Sequence, residues 1–283
     1  MNQLLSERYS ERLHSLALGV EPIDAAREQP MLSPVMLTHD DAPFGNSRQA
    51  FERHDSNRHA LRYDAYYAAQ PRTVTFRLFD QAEALYSPDA DRRRFVPRRL
   101  QLQLPSLASA AAAAAAPSRG CRPLLFPAAA YPVSQMVTGL RAHVMRAAFG
   151  PRPERPARWA RVLASVPAAQ PVLALSTIVG HAMCDERGEF LLFIRHHPLA
   201  LGVGSVLQVR VRVFAPIEAI PLSVSLPSID PLWDLPIETP ASLADSDAVL
   251  RGEALPAGYA AVNDRVFDLP LGRLLRGQAP LLI

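Results

Sequence analysis

The sequence predicts a mainly β protein, and three features carry that prediction. Proline is abundant, 27 residues against 13 glycines in a chain of 283, and its spread disfavours long helices while suiting short strands joined by fixed loops. Several stretches alternate apolar and polar residues with a period of two. Hydrophobic residues make up 49% and aromatics only 7%, so a packed core is expected to rest on Leu, Val and Ala. The length suits two small domains, or one domain with long extensions.

From the N-terminus, residues 1–20 fit one amphipathic helix, with Leu4, Leu5, Tyr9, Leu13 and Leu16 near one face. Such a helix either docks on its own core or binds a partner. Residues 21–58 hold Pro22, Pro30, Pro34 and Pro43 with polar clusters around His39-Asp40-Asp41 and His54-Asp55-Ser56-Asn57, and an extended loop is expected. The period of two then begins. Val74, Phe76 and Leu78 share one face of Thr73–Phe79, and Leu100, Leu102 and Leu104 alternate with Gln101 and Gln103. Both read as half-buried strands. Between them lie the turn cluster Ser87–Asp91 and the run Arg92-Arg93-Arg94, expected at a solvated loop edge. The seven alanines Ala110–Ala116 read as a loop or short helical spacer at an internal boundary near 105–120.

Further strands are expected at Gly139–Met145, Arg158–Leu163 and Val172–Val179, and a β-hairpin over Gly180–Ile194. The hairpin turn would be Asp185-Glu186-Arg187-Gly188, with Gly188 free to take a positive φ. Leu207, Val209, Val211 and Val213 alternate with Gln208, Arg210 and Arg212 in the clearest strand of all. Residues 217–283 carry Pro227, Pro231, Pro236, Pro240, Pro256 and Pro270 and no long amphipathic pattern. They are expected to form an arm, anchored through Leu232-Trp233-Asp234-Leu235, that wraps the β domain or a neighbour.

The formal net charge is +3, and every basic residue is Arg. Compositional bias explains the missing Lys, and an Arg-rich contact surface is the functional alternative. A charge this small with interspersed acids does not support nucleic-acid binding. No apolar run reaches the ~18 residues that span a bilayer, and the first twelve residues lack the apolar core of a secretion signal. The expected setting is the cytoplasm, with Cys121 and Cys184 as thiols.

Two resemblances add to this reading. Residues 138–216 resemble the carboxypeptidase regulatory-like family of small transthyretin-like or immunoglobulin-like sandwiches. The match runs from Thr138-Gly139-Leu140-Arg141 through Pro156–Val162 to Gly180-His181-Ala182, and closes on Val209–Pro216. Asp185, Gly188 and Phe190 fit the family's D-x-x-G turn followed by an aromatic residue. Such domains are accessory modules, so the resemblance speaks to fold and not to chemistry. The whole chain is similar to proteins encoded with phage-tail-like contractile injection systems, through Arg93–Leu100, Trp159–Val162 and Asp230–Pro236. That similarity implies an assembly component.

Chemical motifs are weak by comparison. His181 and Cys184 have H-x-x-C spacing with His196-His197 nearby, but a zinc site needs three or four convergent ligands, and adjacent histidines on a strand face opposite ways. There is no G-x-S-x-G elbow, and without Lys no phosphate-binding P-loop. Asp185 with Glu186, and Asp40 with Asp41, are expected to be solvated turn acids. The best positive feature is an outward stripe of Arg141, Arg161, Arg210 and Arg212, either a solvated face or a docking face for an acidic partner.

The sequence is therefore read as an immunoglobulin/transthyretin-like β-sandwich with a short N-terminal helix and extended Pro-rich arms. Its parts are a helix and irregular arm over 1–58, a β-rich segment over 59–119, the sandwich over 120–216 and a C-terminal arm over 217–283. The expected function is a non-enzymatic structural or adaptor subunit of a contractile injection assembly, with other subunits as partners, its own oligomeric state left open. No cofactor, metal, nucleic acid or membrane span is expected. Arg141, Arg161, Arg210, Arg212 and Trp233 are its partner-contact candidates. The alternative is a ligand-binding module for carbohydrate or peptide.

Overall fold

The computed structural model describes residues 15–40, 51–63, 68–80, 93–112, 119–134, 136–169, 177–194, 205–216 and 230–283. Among them, the first half of the chain forms β1 (Leu16–Val20), β2 (Ile23–Asp24), β3 (Gln29–Pro30), β4 (Met36–His39), β5 (Glu52–Arg53), β6 (His59–Arg62), β7 (Arg72–Phe79), β8 (Arg98–Leu104), helix α1 (Leu107–Ala112), β9 (Gly120–Cys121) and β10 (Leu124–Leu125). The second half forms β11 (Gly139–Arg146), β12 (Arg155–Pro156), β13 (Arg161–Ser165), β14 (Ile178–Met183), β15 (Glu189–Phe193), β16 (Val206–Pro216), β17 (Ile237–Glu238), β18 (Tyr259–Pro270), β19 (Leu274–Leu275) and β20 (Leu281–Leu282). The protein is mainly β, in several sheets.

Alternation explains the best-formed pair. β7 and β8 are antiparallel with Thr73 opposite Gln103 and Thr75 opposite Gln101. Val74, Phe76, Leu100, Leu102 and Leu104 are buried on one face. On the other, Gln101 and Gln103 donate to Thr75 (3.1 Å) and Thr73 (2.7 Å), a polar cross-strand ladder. β4 and β17 flank this pair in the order β17-β8-β7-β4, while two further sheets run β5-β6-β1-β9 and β10-β2-β3. All three sheets share one core.

The N-terminal helix expected over 1–20 is corrected at its end. Residues 1–14 lie outside the described residues, and Leu16–Val20 is a strand paired with both β6 and β9. Ala17, Leu18 and Val20 are buried there, so two-sided pairing in the core overrides the helical pattern. In place of the extended loop expected over 21–58, the described residues 21–40 and 51–58 hold β2 to β5, which are too short to show a period in sequence, and residues 41–50 lie outside the described residues. The alanine run starts as α1, capped by the Ser106 hydroxyl accepting from Ser109 N at 3.2 Å, with Ala110 packed into the core. Residues 113–118 lie outside the described residues. Beyond the run, β9 and β10 pair with β1 and β2.

The second module begins at β11. One sheet runs β12-β11-β15 with β19 and β20 also on β11, and the other runs β14-β13-β16-β18. Inward residues of both sheets form a second core. Of the strand expected at Arg158–Leu163, the ladder takes up Arg161–Ser165. Of Val172–Val179, residues 170–176 lie outside the described residues. The expected hairpin over Gly180–Ile194 is not a hairpin. Its turn forms, with Gly188 at φ 72°, Gly188 N donating to Asp185 O at 3.1 Å and Asp185 N to Glu189 O at 2.9 Å. Yet β14 pairs with β13, and β15 with β11. The turn carries the chain from one sheet to the other, because β14 and β15 are apolar on both faces and each needs a core side.

The C-terminal arm is also corrected. Residues 230–283 supply four strands, including β18, the full-length partner of β16. The β18 stretch is mostly solvent-facing, so it carries little of the apolar alternation that marks a strand in sequence.

Candidate interaction surface

The two modules meet along a third core made of Phe79, Val96, Phe126, Ala128, Trp159, Met183, Leu232 and Leu235. Residues 230–238 run along this seam as a strap. Prolines at 231 and 236 forbid a continuous helix, and turns hold the chain instead, with Trp233 N donating to Asp230 O and Leu235 N to Leu232 O, both at 3.1 Å. The strap carries three carboxylates spaced four residues apart, and each is tied to a cation or donor in a module.

Asp230 takes Arg77 of β7 at 2.8 Å. Asp40 binds the same arginine at 2.7 Å and also Arg99. Asp234 accepts from the Trp159 indole N–H at 2.8 Å and pairs with Arg158 at 2.8 Å, while Arg158 donates to Pro231 O at 2.6 Å. Burial pushes the Asp234 carboxyl up, against the pull of Trp159 and Arg158. Trp159 holds a positive φ of 58°, a conformation rare for a bulky residue, and its own carbonyl accepts from the Tyr259 hydroxyl at 3.1 Å.

Glu238 is the deepest of the three. Arg98 of β8 binds it through Nε (3.0 Å) and Nη2 (2.8 Å), and Arg161 of β13 approaches it to 2.6 Å. The Arg98 side chain is 0% exposed, those of Arg161 and Glu238 2%. Arg98 also donates to the carbonyls of Leu124, Leu250 and Val249, so its donors are well used. Both guanidiniums lie against the Phe126 ring, at 6.0 and 5.5 Å. Burial raises the Glu238 carboxyl, but Arg161 and Arg98 outweigh it and hold it below its ordinary range. Across the same seam Arg93 forks onto Glu186.

The five residues singled out from sequence are scattered by the fold. Arg161 is not outward: it is buried against Glu238. Its strand parity is as expected, but the outer sheet face at that point is covered by the seam. Arg212 is buried too, and it converges with half-buried Arg210 on Asp264 at 3.2 and 2.9 Å. Arg141 sits on the other sheet, 2.5 Å from Glu189. No single stripe exists. Trp233 is half-buried; its neighbours Leu232 and Leu235, not the indole, enter the seam core.

The acids and the basic run expected in solvent are corrected as well. Asp185 is buried and accepts from Arg187 N (2.9 Å) and Glu189 N (3.0 Å), with its carboxyl pushed up to about 6 by burial and then by Glu186. Arg93 is buried on Glu186, while Arg94 is exposed; Arg92 and Asp41 lie outside the described residues. His196 and His197 lie outside them too. Cys184 is fully buried, and burial pushes its thiol well up, which removes the thiolate that a nucleophile or metal ligand requires.

Beside the seam lies a cleft of about 550 Å³. Phe126, Tyr131 and Phe193 line it with Pro127, His181 and Met136 at its edges. Tyr131 donates its hydroxyl to Asp24 at 2.7 Å, which fixes that wall. No protein-family model, curated protein or solved structure matches this chain. Among the described residues no helix is long and apolar enough to cross a membrane.

The strap's role was missed from sequence because its carboxylates serve arginines more than seventy residues away. The one local signal is the four-residue spacing of Asp230, Asp234 and Glu238.

Proposed function

We propose that this chain is a structural or adaptor subunit of a phage-tail-like contractile injection assembly, with no chemistry of its own. The observation that carries this reading is the convergence at the seam. The stretches that carry the whole-chain similarity, Arg93–Leu100, Trp159–Val162 and Asp230–Pro236, are distant in sequence yet meet on one buried surface. Their charges are spent on locking two β modules together, which suits a part that transmits force or holds spacing. The second module is read as a carboxypeptidase regulatory-like sandwich of transthyretin or immunoglobulin type, supported by its two-sheet core and its Asp185–Gly188 turn leading to buried Phe190.

The test is mass spectrometry of high-molecular-weight particles pelleted from the native host. Co-sedimentation with sheath- and tube-like proteins is expected. A chain that stays in the supernatant as a monomer would overturn the assembly reading. In the same assay Trp233→Ala should weaken incorporation by more than it lowers the melting temperature, since Trp233 is partly exposed and outside the seam core; parallel losses would remove Trp233 as a contact.

The cleft favours a second reading, a ligand-binding module for carbohydrate or peptide, because its aromatic walls, Phe126, Tyr131 and Phe193, stand beside polar side chains such as Arg27 and Ser134, a mix that suits small ligands. Titration calorimetry against oligosaccharides and proline-containing peptides separates it from the first.

A further inference from the structure

In the second module, β11 and β12 close a hairpin whose tip is Phe149-Gly150-Pro151-Arg152. Phe149 N donates to Arg152 O at 3.0 Å, and Arg152 N to Phe149 O at 3.1 Å. Gly150 occupies the first central position at φ 57°. Pro151 follows with a ring-locked negative φ, so the turn is of type II′, which matches the twist of its strands. A Cβ on Gly150 would meet nothing within 4 Å; glycine is there for its φ and not for space. Pro153 and Pro156 stiffen the return limb, and at the base Ile283 N donates to Met145 O and Ala147 N to Ile283 O, both at 2.9 Å.

This stiff tip presents Phe149 at 83% exposure. Arg152 is paired with Phe149 across the turn, and the pair Arg146 and Arg155, three positions back, lies on the other face of the hairpin. Arg146 and Arg155 are directly opposite in the ladder, a like-charge pair that costs stability. Burial and then Arg155 lower the affinity of Arg146 for its proton, and the Arg146 contact among described residues is a hydrogen bond to the Pro216 carbonyl at 3.1 Å. None of the three arginines forms an ion pair among the described residues. At the seam the arginines are matched by buried carboxylates; on this hairpin three arginines stand with one exposed acid, Glu154, beside a solvent-exposed aromatic.

We infer that the Phe149 hairpin is a preformed docking finger for an acidic protein surface, with Phe149 filling an apolar pocket and Arg146, Arg152 and Arg155 meeting a carboxylate rim. Aromatic and arginine anchors dominate protein interfaces, and a rigid turn avoids the ordering cost of a flexible loop. A membrane surface suits it less, since one aromatic side chain is a weak anchor alone. Nucleic acid suits it less, since the chain as a whole is close to neutral. The inference rests on the adaptor reading and names the chemistry of its partner.

The test places photo-reactive p-benzoylphenylalanine at position 149 of the full chain in the native host, with the adduct mapped by mass spectrometry. The expected adduct is on an apolar residue of a protein, within a few residues of at least two Asp or Glu. Arg152→Glu with Arg155→Glu should lower its yield about tenfold at unchanged melting temperature, while Arg152→Lys with Arg155→Lys keeps most of it. An adduct on nucleic acid or lipid, a protein adduct remote from acids, a yield indifferent to charge reversal, or no adduct from the folded chain would each overturn the inference. If the chain still pellets with particles in those cases, only the finger falls. If the finger cross-links to an acidic soluble protein while particles lack the chain, only the assembly reading falls.

Discussion

Two arginine clusters of the same chain are treated in opposite ways. At the seam, Arg98 and Arg161 are buried on Glu238 over one phenylalanine ring, and Arg98 also donates to backbone carbonyls. At the hairpin tip, Arg146 and Arg155 face each other with Arg152 close in sequence and no acid paired to them among the described residues. The side chain is the same, so the difference lies in where the counter-charge comes from. A buried guanidinium must bring its partner from within the fold, because leaving it bare in low dielectric costs several kcal/mol. A surface guanidinium is solvated and can wait for a partner from outside. The first kind stabilises a shape; the second offers a contact.

The sharpest way to break this contrast is Glu238→Gln. The amide keeps the shape but removes the charge that two buried guanidiniums share, and the expected loss is about 3–5 kcal/mol in chemical denaturation. A loss below about 1 kcal/mol would mean that water reaches the seam and that the two clusters do not differ in kind.

A smaller effect should come from Asp185, a buried acid whose cation neighbour among the described residues, Arg187 at 3.7 Å, is itself partly exposed. Its carboxyl is pushed up to about 6 from 3.8, so the folded state binds its proton more tightly than the unfolded state. That costs stability progressively as pH rises from about 4 to 6, and the cost stays above that. Asp185→Asn mimics the protonated form and still accepts from Arg187 N and Glu189 N. It should therefore stabilise by about 2 kcal/mol at pH 7 and by little at pH 4. A gain that does not change with pH would show that Asp185 is not charged at a cost.

His59 tests the same rule with the opposite sign. It is buried in β6, and burial and then Arg53 lower its pKa to about 4 from 6.5. The unfolded chain binds the extra proton first, so stability falls as pH drops from about 6.5 to 4. Relative to His59→Gln, the protein should lose about 1–2 kcal/mol over that window. Melting curves that shift equally in both proteins would place the histidine charge in solvent.

These buried groups also mark where sequence reading stops. β7, β8 and β16 were legible because one face is apolar and the other polar, as Thr73, Thr75, Gln101 and Gln103 show. Arg161 was given the correct side of its strand, yet parity cannot report that Leu232 and Leu235 cover that side. The strap has no period to detect, and its ion pairs join residues up to 153 positions apart, as in Arg77 with Asp230. β18 was read as an arm because its outer residues are polar and its pairing comes from the backbone. The hairpin tip had a local signal in Gly150-Pro151 between Arg146 and Arg155, a two-residue turn flanked by like charges.

That tip yields the smallest effect and the most direct comparison. Arg155→Gln removes one member of the opposed Arg146–Arg155 pair without exposing any buried partner. Surface changes ordinarily stay within about 0.5 kcal/mol, and relief of a directly opposed like charge favours the variant. The expected result is a neutral to slightly raised stability, more raised at low salt because screening already weakens the repulsion at high salt. The same arginine-to-glutamine change at Arg161 leaves Glu238 with Arg98 alone and should cost several kcal/mol. If Arg155→Gln destabilised the fold by a comparable amount, the tip would be holding the protein together, and its cations would no longer be free for another molecule's acids.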